Sequence, residues 1–288
     1  MKISVFGTFM SPIATPEMVG DFAKRAEQAG VHTLWMGEHV VLFDEMEFPY
    51  PASKDGRIPT PPGGGLLDTV ATFGYLAAET KTLRFGTGIA LISQRNPVYT
   101  ANEFATLDWL TKGRMDFGVG VGWCKEEVIA SGYTWEDRGA RADEFLQLVK
   151  SFWTDPVTSF NGTHFQVQAA RMDPKPVQKP HVPIIVGGHS KAGLRRAARY
   201  GNGWYGFNMD LQGTEKILAQ LDDALAAEGR SRDEFEIVIT PTMNFTDDMI
   251  SAFADLGVDQ LALQLGSQKP DKIDRRLIEL EATANRAA

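Results

Sequence analysis

Gly187-Gly188-His189-Ser190 follows an apolar run and opens a helical span that ends at Gly201. Backbone N–H groups converge at a helix start with partial positive charge, the two glycines remove side-chain bulk, and Ser190 adds a hydroxyl. The stretch therefore suits a phosphate or another anion. A plain capped helix start needs Ser190 but not the two glycines before it. Two other glycine-bearing loops end apolar runs: Thr87-Gly88-Ile89, and the Gly118, Gly120, Gly122 series that leads into Trp123. Glycine at such points lets backbone approach a partner closely. The series is spaced by two, which is neither GxGxxG nor a phosphate loop with its Lys-Ser/Thr pair. Thr87, Gly88, Ile89, Gly120, Gly122 and Trp123 are candidates for one shared site, with strand–helix packing as the other use of the same glycines. Cys124 has no nucleophile motif around it and reads as a structural thiol. The five histidines, at 32, 39, 164, 181 and 189, show no metal-ligand spacing, so no metal is expected.

The elements that must hold these loops alternate. Strand-like runs at 3–6, 31–36, 83–87, 115–119, 183–186, 204–207, 235–240 and 260–263 are separated by helical spans. Thr15 before Pro16, Asp68, and Asn96 before Pro97 mark helix starts, and Gly30 marks an end. Helices are also read from 138 to 152, 212 to 227, 247 to 256 and 271 to 285. Eight strands and eight helices in alternation predict one α/β domain over 1–288, a closed (β/α)8 (TIM) barrel, a fold of ~250 residues in its usual form. Ligands of that fold sit at the carboxyl ends of the strands, where all the glycine loops fall.

Two stretches exceed the basic plan. Residues 40–67 form a long Pro/Gly-rich segment containing TPPGGG, expected as a lid-like insertion. Residues 153–181 contain two β-like runs, 157–160 and 164–167, around Asn161-Gly162, expected as a two-residue hairpin inserted on the barrel.

The net charge of -8, with Lys and Arg scattered, makes nucleic acid a poor partner. No apolar run approaches the ~20 residues that cross a membrane. A single cysteine and no signal-peptide pattern fit a cytoplasmic protein.

With the strand ends laid out, the chain resembles the luciferase-like monooxygenase family of TIM barrels, and in particular its deazaflavin-dependent branch. The resemblance runs over essentially the whole length. It rests on MKISVFG, LWMGEHV, LRFGTGIALISQRNP, GRMDFGVGVGWCKEE and PIIVGGHSKAGLRRAARYGNGW, in this order and each at a strand end. It implies a flavin-type ring over the barrel mouth with its phosphate near Gly187, Gly188, His189 and Ser190. It also implies a bulge after the third strand with a non-proline cis peptide at Gly88-Ile89. Glu38 and His39 match an acidic-His pair that touches the ring and moves protons, a task suited to an imidazole, which titrates near neutrality. Without the resemblance, His39 could simply cap its loop. Glu126 and Glu127 could contact cofactor hydroxyls or merely begin a helix. Trp123 stands where related sugar-phosphate dehydrogenases have a glutamate, which favours an apolar wall over a second acid-base group.

The resemblance therefore implies a coenzyme F420 (8-hydroxy-5-deazaflavin)-dependent oxidoreductase that passes a hydride between the reduced cofactor and a small organic substrate. The lid and the hairpin insertion are expected to screen water from the site. Two alternatives stand beside it: a monooxygenase taking reduced FMN from a separate reductase, and a flavin-binding barrel without turnover. A homodimer is implied by the resemblance alone.

Overall fold

Each apolar run of the chain is short, bounded by turn residues and followed by a capped helix, so parallel pairing with helical crossovers is the economical way to satisfy its backbone. The computed structural model describes residues 1–50, 53, 55–242, 245–246 and 248–287. Positions 51, 52 and 54 of the expected lid, Asp247 at the expected helix start and residue 288 lie outside the described residues.

The elements run β1 (Lys2–Phe6), α1 (Pro16–Gln28), β2 (Thr33–Met36), α2 (Thr69–Glu79), β3 (Arg84–Thr87), β4 (Ala90–Leu91), α3 (Pro97–Thr111), β5 (Met115–Gly120), α4 (Lys125–Ala130) and α5 (Arg138–Thr154). Then follow β6 (Thr158–Asn161), β7 (Gln166–Ala170), β8 (Ile184–Gly187), α6 (Lys191–Tyr200), β9 (Gly203–Met209), α7 (Leu211–Ala227), β10 (Glu236–Pro241), α8 (Met249–Asp255), β11 (Gln260–Gln264) and α9 (Pro270–Ala287). Strands pair in parallel in the order β1, β2, β3, β5, β8, β9, β10, β11, and β11 returns to β1, closing an eight-stranded barrel. The expected caps form: Thr15, Asp68, Asn96 and Ser190 each accept a backbone N–H from the first turn of their helix.

Two apolar layers hold the barrel. Outside the wall, Phe22, Phe73, Phe104 and Phe145 pack helices onto strands. Inside it, Trp35, Ile185, Tyr205, Val238 and Ala262 fill the bore, with Phe6 and Phe207 packed against them. Polar tips in this bore are paired, as burial requires: Trp35 Nε1 donates to Gln260 Oε1 at 2.5 Å, and the Tyr205 and Thr240 hydroxyls lie 2.6 Å apart. Glycine in the wall makes room for this filling. A Cβ on Gly86 would lie 2.5 Å from the Trp35 ring.

Three features depart from the sequence expectation. The third strand is split into β3 and β4, and a short α4 stands between β5 and α5. The hairpin β6–β7 forms, but Asn161 pairs with Gln166, so the turn is the four residues 162–165 rather than Asn161-Gly162. The reason is tertiary: Glu144 of α5 accepts N–H bonds from Thr163, His164 and Phe165 at 2.8, 2.8 and 3.3 Å, and this carboxylate shapes the turn. The hairpin thus lies along α5, its tip reaching Asp137, 3.3 Å from His164 Nδ1. No helix among the described residues is long and apolar enough to cross a membrane.

Candidate active site

The mouth of the barrel is organised by a bulge after β3. Gly86 pairs with Asp116, yet Ala90 pairs with Val119, so four steps along the third strand oppose three along β5. The extra residue displaces Gly88-Ile89 from the ladder, and their peptide bond is cis, as the resemblance implies. The Ile89 side chain then occupies the space above β5 and β8. A Cβ on Gly120 would lie 2.0 Å from Ile89 Cδ1, and one on Gly187 would lie 2.9 Å from its Cγ2. The missing side chains of these two glycines, both candidates for cofactor contact, make room for Ile89. Thr87, also a candidate, is fully buried and its hydroxyl donates to the Gly118 carbonyl at 2.6 Å, linking β3 to β5.

Glu38 sits at the end of β2 and is 5% exposed. One of its oxygens accepts the Leu91 N–H at 2.7 Å, and Arg95 pairs with both oxygens through Nε at 2.9 and 3.1 Å and also through Nη2. A second carboxylate, Glu103, receives Arg95 Nη1 at 2.9 Å. Burial opposes charging the Arg95 guanidinium, but the two carboxylates outweigh it and raise its pKa. In this arrangement Glu38 pins the backbone just after the bulge. Its charge is matched by Arg95 of the SQRNP stretch, a partner 57 positions away that no local motif marks.

His39 has a different partner. Its Nδ1 lies 2.7 Å from Glu127 Oε2, and the other Glu127 oxygen accepts the Val40 N–H at 3.1 Å. Glu127 is 1% exposed, and these two bonds commit both its oxygens. A carboxylate accepts, so Nδ1 carries the proton in this bond and Nε2 is left for a ligand. The imidazole packs edge-on to Trp123 at 5.7 Å between ring centres and to Tyr50 at 6.5 Å, and Tyr50 tilts on Trp123 at 5.4 Å. Trp123 is thus an aromatic wall beside His39.

The loop at 187–190 is open on its outer side. Gly188 has φ 113, a backbone conformation suited to glycine, and a Cβ there would meet nothing within 4 Å. Gly188, His189 and Ser190 are exposed at the N-terminus of the ten-residue α6. The Gly188 carbonyl is turned away to accept Trp204 Nε1 at 2.9 Å, and the His189 ring rests 5.9 Å from Trp204. Ser190 Oγ accepts the Gly193 N–H at 3.1 Å, leaving its own proton for another acceptor. An open, amide-rich helix start fits the phosphate of a flavin-type cofactor.

The described residues of the 40–67 segment are held at both ends by neighbouring loops. Its outgoing limb is held by α4 and the loop after it: Glu47 N–H donates to Glu126 at 2.8 Å, Lys125 reaches Glu47 at 2.6 Å, and Phe48 stacks on Trp135 at 5.9 Å. Glu126 therefore holds residue 47 of this segment, and that backbone N–H is the main cause of its lowered pKa. Its returning limb is zipped to the loop after β1, with Ser11 N–H to Gly65 at 3.0 Å and Leu67 N–H to Phe9 at 2.8 Å. Between this segment and the barrel a cavity opens over His39, Trp123, Cys124 and Glu127. Cys124 is 5% exposed, and burial, helped by the Glu127 and Glu126 charges, pushes its thiol up to about 11, consistent with a structural role. No cluster with metal-ligand composition occurs among the described residues.

Comparison with known proteins places the architecture. The family model described as luciferase-like monooxygenase matches residues 2–286. An uncharacterised protein of Mycobacterium tuberculosis is 30% identical over 82% of this chain and 81% of its own length. The F420-dependent glucose-6-phosphate dehydrogenase of Kineococcus radiotolerans is 29% identical over 82% of this chain and 66% of its own. Among solved structures, an F420-dependent secondary alcohol dehydrogenase in complex with an F420-acetone adduct superposes with a TM-score of 0.80 at 17% identity, covering 100% of this chain and 99% of that one. At that identity the likeness is one of fold.

Proposed function

The chain belongs to the luciferase-like monooxygenase family, and from that premise we propose that it is an F420-dependent oxidoreductase acting on a small organic substrate. It is an enzyme that uses F420 or a flavin; the choice of F420 is supported by the F420-dependent relatives of about 29% identity. The observation that carries a catalytic reading is His39 held by buried Glu127 at the barrel mouth. When bound, the deazaflavin supplies or accepts the hydride. Residues 187–190 hold its phosphate through backbone N–H groups and the Ser190 hydroxyl. Ile89, raised on the bulge, supports the ring, with Glu38 and Gly88 keeping the bulge in place and Gly122 and Trp123 bordering the ring from the β5 side. His39 holds or moves a proton at Nε2.

Titration of the pure protein with reduced F420 and with FMN, followed by absorbance and fluorescence, tests the choice. Saturable F420 binding with no comparable FMN binding is expected; the reverse result moves the chain to the second reading, a monooxygenase fed with reduced FMN by a separate reductase, which the family description itself favours.

A further inference from the structure

We infer that the cavity under the lid is the substrate site and that it takes an uncharged, mainly apolar molecule rather than a sugar phosphate or another anion. The inference rests on the oxidoreductase reading only in assigning His39 as the group that meets the substrate.

Three observations carry it. First, the lid turns apolar side chains into the cavity from both limbs: Val41, Leu42, Phe43 and Met46 from one, Ile58 from the other, with Trp123 as the floor. None of the five lid residues joins the hydrophobic core described for the barrel. Val41 is 43% exposed and the other four are half-buried, so this apolar surface stays open to solvent where packing would normally bury it. Apolar surface kept open beside a catalytic histidine is the usual lining of a ligand pocket. Met46, unbranched and flexible, adapts such a lining to irregular shapes.

Second, the charges lining the cavity do not favour an anion. Among the lining residues Arg57 is the one permanent cation, whereas Asp44 and Glu127 are both acidic, the Glu127 oxygens being committed to His39 and Val40. A phosphate ester needs several convergent N–H donors or cations, and the loop that offers them, residues 187–190, does not line this cavity.

Third, the polar groups that remain are placed at the edges. His39 lies at the floor with Nε2 uncommitted to Glu127, and Thr60 lies at the lid, enough to orient one polar function of an otherwise apolar molecule.

The test uses the full-length protein with 4-phenylbutan-2-one as the neutral probe and glucose 6-phosphate as the anionic one, each titrated by calorimetry and by quenching of tryptophan fluorescence, with and without F420. Saturable binding of the ketone, and none of the sugar phosphate over the same range, is expected. Met46→Asp and Ile58→Asp, each placing an unpaired carboxylate against the ligand, are expected to weaken ketone binding by about tenfold or more while melting temperature and F420 binding stay as in the parent. Absence of ketone binding, unchanged affinity in both variants, or tighter binding of glucose 6-phosphate overturns the inference. F420 binding is read in the same samples, so a protein that binds the ketone in the lid cavity but binds no deazaflavin retains this inference and loses the cofactor reading instead.

Discussion

His39 and Glu127 are joined by a 2.7 Å hydrogen bond in which Glu127 is buried, and the proposed function makes them one acid-base unit. Replacing His39 with Ala is expected to lower turnover by ~10²-fold or more, the usual contribution of a positioned acid-base group; unchanged conversion would transfer the proton to another residue or leave a binding protein without turnover. Glu127→Gln keeps the shape but offers one neutral acceptor, and a loss of about tenfold with a displaced pH profile is expected, whereas a purely structural glutamate would change stability and leave the profile in place. The Cys124 thiol, 5% exposed and pushed up to about 11, is expected to react with a disulfide reagent at pH 8 about a hundredfold more slowly than a free thiol, read as the rate of colour release from the native protein. At this scale the sequence was legible where the signal was local. Ser190 and Asn96 are caps within their own helix turns, and Gly88-Ile89 lies inside one motif. The Glu127–His39 pair spans 88 positions, and nothing in the local pattern links them.

Among elements, the bulge and the lid show how far periodicity reaches. Eight strands and their helices were legible because each apolar run is bounded by punctuation in the chain itself. The split of the third strand was not, since it depends on Ile89 finding room over Gly120 and Gly187. The same contact yields a prediction: Gly120→Ala drives a methyl into Ile89 and should cost about 1 to 3 kcal/mol by the usual penalty of overpacking, measured by denaturant titration, and weaken cofactor binding. Asn161-Gly162 misled for a similar reason, its turn being overridden by Glu144 from a neighbouring helix. For the lid, Phe48→Ala combined with Lys125→Ala removes a stacked ring and an exposed ion pair, contacts of about 1 kcal/mol or less each. Faster amide exchange confined to residues 40–50 is the expected result, with barrel strands unaffected.

For the whole molecule, stability should depend on acid in a defined window. Burial, with Lys2 and Arg84 adding repulsion, lowers the His32 pKa from 6.5 to about 4, and His181 is lowered chiefly by burial as well. The unfolded chain therefore takes up protons that the fold refuses between these values. Stability is at its full value above pH 6.5 and falls as the pH drops toward 4, by about 2 kcal/mol for His32 after allowance for its partial solvation. Melting curves across that range should flatten in His32→Asn; an unchanged slope would place the acid sensitivity elsewhere. The lid carries a last consequence for local opening. Its returning limb is stitched to the β1 loop backbone to backbone, while its outgoing limb hangs mainly on side chains of α4 and on Trp135. With backbone bonds on one limb and side-chain contacts on the other, the limb beside Trp135 is expected to loosen first, and hydrogen exchange of the unliganded protein should show residues 40–50 exchanging before 65–67.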